Sequence, residues 1–183
     1  LASGIDPNQA TLFVQSQVAR LHADIARLRE AGVALLFIDT PPAITAMIKE
    51  VIRVSDLVLV PIRPSPHDLR AAAATVALVE GCDRPLLFVL NSAPVRAQIT
   101  AEAAVALSQH GTLAPVTLHQ RTAFASSMID GRTVMEVSGA EAAAQEVTAL
   151  WRHVEAKLRQ AVRDAPPSPR FGKSTGAWSR WPR

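Results

Sequence analysis

Three polar residues, Asp39, Arg63 and Asn91, each stand directly after a short aliphatic run. The runs are Leu35-Leu36-Phe37-Ile38, Leu57-Val58-Leu59-Val60-Pro61-Ile62 and Leu86-Leu87-Phe88-Val89-Leu90. A carboxylate, a guanidinium and an amide brought together would offer a ligand charge of both signs and a two-way hydrogen-bonding group. In open α/β sheets, ligands bind beyond the carboxyl ends of the strands, where such residues would lie. Asp39 has a plainer alternative as a cap on the helix that follows. Asn91 has one as a turn former before Pro94.

The runs read as strands because they carry no polar alternation, the pattern of a strand buried on both faces in a parallel sheet. The first is expected from about Ala34 to Asp39, where Pro41 and Pro42 end any ladder. A shorter fourth strand is expected at Leu113–Thr117. Between them lie helices. Asp6-Pro7-Asn8-Gln9 opens one that carries Val14, Val18, Leu21, Ile25 and Leu28 on one stripe and stops at Gly32. A second runs through Ile44, Met47, Ile48, Val51 and Ile52 to about Ser55. Ser65-Pro66-His67-Asp68 is a capping box opening an Ala-rich helix to Glu80. Thr100 is expected to cap a helix to Gln109, and a short helix is expected from Arg121 to Ile129. Ser138-Gly139-Ala140-Glu141 reads as a second capping box. It starts a helix with Val147, Leu150, Trp151, Val154, Leu158 and Val162 on one face. Strands alternating with helices, without hairpin turns, argue for βαβ units. Right-handed crossovers would bring all strand ends to one edge.

The chain has 183 residues, enough for one domain, 1–163, and a basic Pro/Gly/Ser-containing tail, 164–183, expected to be disordered. Half the composition, 49%, is hydrophobic, so a packed core is available. The single cysteine, Cys82, excludes an internal disulfide. No apolar stretch reaches the roughly 18 residues of a membrane span, and no start pattern reads as a signal peptide. A cytoplasmic protein is the resulting expectation. A net charge of +3, carried mostly by Arg, permits contact with nucleic acid without demanding it. The histidines show no metal-ligand spacing, and no G-x-S-x-G surrounds a serine. Gly172-Lys173-Ser174-Thr175 copies the end of a phosphate loop, but Pro167 occupies the first-glycine position and no strand precedes it.

Phe37-Ile38-Asp39-Thr40-Pro41-Pro42 resembles the Walker B/switch II segment of the ParA/MinD (deviant Walker A) partition ATPases. In that family the strand-end Asp supports the magnesium of bound ATP and the Thr-Pro-Pro turn senses the terminal phosphate. The resemblance thus implies catalytic and metal-supporting duty for Asp39, and nucleotide contacts for Thr40 and Pro41. It also implies an adenine-reading role for Asn91, whose amide suits a base edge. Pro61-Ile62-Arg63-Pro64-Ser65 is similar to the family's turn into the next helix, a structural and dimer-facing loop. His119-Gln120-Arg121-Thr122-Ala123-Phe124 with Gly131-Arg132-Thr133-Val134 is similar to the C-terminal segment of plasmid-type members. There, basic residues assist non-specific DNA binding, a role carried over to Arg121.

The resemblance runs from about Val14 to Leu158. It implies a three-layer α/β/α, P-loop NTPase-like fold and ATP with Mg2+ as cofactors. It further implies a homodimer, and DNA and a ParB-like centromere-binding protein as partners in plasmid or chromosome partitioning. The family's opening strand, its Gly-rich phosphate loop and its switch I are absent from these 183 residues. The chain then corresponds to the C-terminal two-thirds of the family fold, an N-terminally truncated version. It is expected not to hydrolyse ATP, and to carry a gap or an open sheet edge that makes it sticky or dimeric. Two alternatives stand beside this reading: a non-catalytic DNA- or partner-binding protein of the same family, and an amidoligase of the cobyrinate or dethiobiotin synthase type.

Overall fold

The computed structural model describes residues 13–40 and 46–164. The sheet is parallel and three-stranded, in the order β1 (Val58–Ile62), β2 (Leu86–Leu90) and β3 (Thr112–Leu113). β1 and β2 pair over their full lengths, Val58 opposite Leu86 and Ile62 opposite Leu90. The β1–β2 connection is α3 (Pro66–Glu80), and the β2–β3 connection contains α4 (Gln98–Ser108). These are the βαβ units that the alternation of runs requires, because parallel neighbours need a crossover.

β2 is the central strand, and its period of two feeds two cores. Phe88 and Leu90 pack with Ile62 and with Ala72, Val76, Ala103 and Leu107 of α3 and α4. Leu87 and Val89 point the other way, onto Ala114 and onto Val154 of α6 (Glu141–Asp164), with Trp151 and Leu158 beside them. Helices therefore cover both faces, and a strand covered on both faces has no use for polar residues. Phe88 and Leu87 are completely buried. A smaller satellite core joins Val134, Ala140 and Ala143 under Phe124 and Val147.

Local signals explain most element ends. The Ser65 hydroxyl accepts from the Asp68 N–H at 3.2 Å and donates to the Asp68 carboxylate, with Pro66 at the first helical position of α3. The short helix α5 (Thr122–Ser127) continues as a 3-10 turn through Asp130 and stops at Gly131, whose φ of 79° is left-handed.

Several expectations are corrected. Residues 34–39 form no strand: they have no ladder partner, and Leu36 and Phe37 are 43% and 67% exposed rather than buried. Apolar run and strand are not the same thing, because the strand exists only where a neighbour takes its N–H and C=O groups. The first helix, α1, covers only Leu21–Glu30 after a 3-10 turn at Val18–Arg20, so Val14 lies outside it. Its expected start at Asp6 lies outside the described residues, as do Ile44 and the tail from 165 onward. The second helix, α2, spans Ala46–Val54. α4 begins two residues before Thr100, with Ala97 at its N-cap and no capping side chain; the Thr100 hydroxyl instead turns back to the Pro94 carbonyl. β3 lasts two residues, and the Ala114 N–H still donates to the Phe88 carbonyl at 2.8 Å just before Pro115. The pairing resumes with an isolated parallel bridge between Ala93 and His119. At α6, Glu141 accepts from the Gly139 N–H rather than from Ser138.

Candidate functional site

The carboxyl ends of the paired strands do form one edge. The Asn91 N–H donates to the Ile62 carbonyl at 2.9 Å, which sets Asn91 beside the residue position that leads into Arg63. Next along, the Ala93 N–H donates to the Leu118 carbonyl at 3.1 Å, and the Gln120 N–H to the Ala93 carbonyl at 2.9 Å. Arg63, Asn91 and the stretch from His119 to Arg121 therefore end three adjacent tracks of the same sheet, spaced about 4.8 Å apart. Directly after Asn91 the backbone turns left-handed at Ser92, φ 50°, and again at Arg96, φ 58°. Non-glycine residues avoid that region, and where it persists the surrounding structure holds it there.

The Asn91 side chain is half-buried and its amide makes no hydrogen bond among the described residues. Arg63 and Arg96 are exposed and form no ion pair among the described residues. An amide without a partner among the described residues thus ends one strand beside the strand that leads into Arg63, and Arg96 follows in the same loop, residue types suited to an anionic, hydrogen-bonding ligand.

Arg121 is differently placed. It stands at the N-cap of α5, and its guanidinium grips Glu146 of α6, Nη2 to Oε1 at 2.6 Å and Nε to the two oxygens at 3.2 and 3.3 Å. His119 adds its backbone N–H to Oε2 at 3.1 Å, and its Nδ1 lies 2.8 Å from Oε1. A carboxylate only accepts, so the His119 ring proton sits on Nδ1. Burial pushes the Glu146 carboxyl up, but the hydrogen bonds from Arg121 and His119 outweigh it and hold the group below its ordinary range. The same pairing with Glu146 raises Arg121 against a smaller loss from burial. A cation at a helix N-terminus opposes the dipole, and Glu146 cancels that conflict. The cluster ties the third track of the sheet to α6. Nothing in the sequence singles out Glu146, which sits on a helix face like any solvated charge.

Asp39 is exposed and stands outside the ladder. The run that leads to it is anchored through Phe37, whose ring lies 6.4 Å from that of Trp151 on α6. Thr40 lines a cleft shared with β1, while Pro41 lies outside the described residues. The structure therefore brings Asn91, Arg63 and Arg121 to one edge, and among the described residues no hydrogen bond fastens Asp39 to it. No group of three or more His, Cys, Asp or Glu residues able to hold a metal occurs among the described residues.

Between residues 33–40 and β1 lies a cavity of about 470 Å³, walled by Leu35 and Phe37 on one side and Leu57 and Leu59 on the other. It sits in the layer of the sheet, with Ile48 of α2 and Val154 of α6 facing it from the two helical layers. Among the described residues no helix is long and apolar enough to cross a membrane. The chain matches no protein-family profile and no curated protein.

Proposed function

We propose that this chain is a ParA-like partition protein whose sheet edge takes a nucleotide, and that it does so without hydrolysing it. The observation that carries the reading is the Asn91 amide, without a hydrogen bond among the described residues, at the carboxyl end of a parallel strand and beside the strand that leads into the exposed Arg63. An amide reads a base edge and flanking guanidiniums attract phosphates. Asp39 of the Walker B-like run is the group that would help hold a hydrated Mg2+ beside ATP, with Thr40 and Pro41 near the terminal phosphate. Two subunits closing on ATP, non-specific DNA binding and a ParB-like partner complete the reading. The phosphate-cradling loop that stabilises transferred charge has no counterpart in these residues. Binding and turnover therefore separate. Calorimetric titration with ATP and Mg2+ is expected to give weak binding, lowered several-fold by Asn91→Ala, with no phosphate release. Steady turnover abolished by Asp39→Ala would refute the non-hydrolytic part, and affinity untouched by Asn91→Ala would refute the site.

A second reading is favoured by the same two arginines. Arg63 and Arg96 can meet a polyanion as readily as a mononucleotide, making the protein a DNA binder indifferent to ATP. It predicts binding to random-sequence duplex that falls steeply with salt, is unchanged by nucleotide, and is weakened both by replacing Arg63 and Arg96 with Ala and by removing residues 164–183. Binding that requires ATP eliminates it.

A further inference from the structure

The outward side of α6 carries a cationic stripe that neither the core nor the sheet edge uses. Arg152, Ala156, Arg159 and Arg163 recur at steps of four, three and four residues, so they share one face of the helix, and all four are exposed. The other face, with Val154, Leu158 and Trp151, packs on the sheet. At 1.5 Å per residue the stripe is about 16 Å long, and its far end lies about 25 Å along the helix from Glu146. It is therefore a surface separate from the edge where Glu146 holds His119 and Arg121. Arg159 pairs with Glu155 at 2.8 Å, whereas Arg152 and Arg163 have no ion-pair partner among the described residues. Exposed cations set in a row suit a polyanion.

The sequence that runs on from α6, 165–183, lies outside the described residues, and its residue types continue the same chemistry. It carries Arg170, Lys173, Arg180 and Arg183 and no acidic residue. Aromatic residues alternate with these cations, in Arg170-Phe171 and in Trp178-Ser179-Arg180-Trp181-Pro182-Arg183. Three aromatic residues in these nineteen compare with five in the 164 before them. A segment whose task is only to stay solvated has no use for indole rings.

We propose that the α6 stripe and segment 165–183 together bind single-stranded nucleic acid. Arg152 and Arg163 meet backbone phosphates, and Phe171, Trp178 and Trp181 stack on bases. The aromatic rings select a single strand, because bases in a duplex are already stacked on one another, whereas each base of a single strand offers a free π-face. The cations are mostly arginine, which grips phosphate through two parallel N–H groups and also stacks on flat rings. A lipid surface fits less well. Surface helices bury a continuous apolar face, and Pro166, Pro167, Pro169, Gly172 and Gly176 are the residue types least suited to such a helix.

The inference rests on neither the nucleotide reading nor the duplex reading, whose cations are Arg63 and Arg96. The full chain is titrated with a fluorescein-labelled oligothymidylate of about 20 nucleotides, more than one single-strand site. Anisotropy reports binding, and the unlabelled oligonucleotide is followed by tryptophan emission. Binding should quench that emission and should weaken tenfold or more when Trp178→Ala and Trp181→Ala are combined. Arg152→Glu with Arg163→Glu, at exposed positions, should weaken it by as much and make its salt dependence shallower. A strand of abasic sites, with the phosphates and no bases, should bind at least tenfold more weakly. The proposal is overturned if the abasic strand, or a duplex of the same length, binds as tightly as the oligothymidylate, or if the tryptophan variant binds unchanged. It is overturned equally if vesicles of phosphatidylglycerol and phosphatidylcholine shift the tryptophan emission to the blue while the oligonucleotide leaves it unaltered. Single-strand binding without ATP binding keeps this inference and loses the nucleotide reading, and the reverse result does the opposite.

Discussion

Glu146→Gln is the substitution whose effect is worked most fully from the structure. The carboxylate is 13% exposed and takes donors from three groups: the Arg121 guanidinium, the His119 ring and the His119 backbone N–H. Glutamine has the same shape but offers one acceptor oxygen, no charge, and an NH2 that meets the Arg121 donors head-on. Hydrogen bonds to a charged group contribute about 1.5–3 kcal/mol each, and bonds sharing one carboxylate are not additive. Arg121 is about one-third exposed and recovers some hydration once released. A net loss of about 2–3 kcal/mol follows, or roughly 4–12 °C in the thermal midpoint for a chain of this size. Urea denaturation of Glu146→Gln, Arg121→Met and the double variant measures it, with a coupling of about 1–2 kcal/mol expected. The pH dependence supplies a second readout. Glu146 titrates lower in the folded protein than its unfolded value of about 4.3. Its contribution is therefore fully present above about pH 4.3 and is lost as pH falls through the folded value. That acid loss should be shallower in Glu146→Gln. A stability change under about 0.5 kcal/mol, or an unchanged acid limb, would show that the cluster does not hold the sheet edge to α6.

Two further outcomes rest on local geometry. Ser65→Ala removes the oxygen that accepts the Asp68 N–H at the start of α3, and chemical denaturation should show a loss of about 1 kcal/mol. Gly111→Ala places a Cβ 3.1 Å from Cε2 of the fully buried Phe88, so either the ring or the β3 turn must shift. A cost of about 1–3 kcal/mol is expected, and a neutral result would mean that the turn gives way freely.

Elements whose signals are local can be read from the linear pattern. β1 and β2 are legible as unbroken aliphatic runs, α3 from its Ser65-Pro66-x-Asp68 start, and α6 from an apolar stripe that does meet the sheet through Val154 and Leu158. The convergence of Arg63 and Asn91 was also legible, because parallel strands with right-handed crossovers leave no other place for their ends. Tertiary structure decided the rest. Leu35 to Ile38 has the composition of β2, yet only one of the two is a strand, since hydrogen-bond partners lie elsewhere in the chain and composition does not report them. The partnership of His119 and Arg121 with Glu146, 27 and 25 residues away respectively, depends on how α6 docks across the sheet, and periodicity along one helix cannot encode which distant donors will face it. An ionic cluster and an open strand edge are properties of pairs of segments, whereas the linear pattern constrains each segment alone.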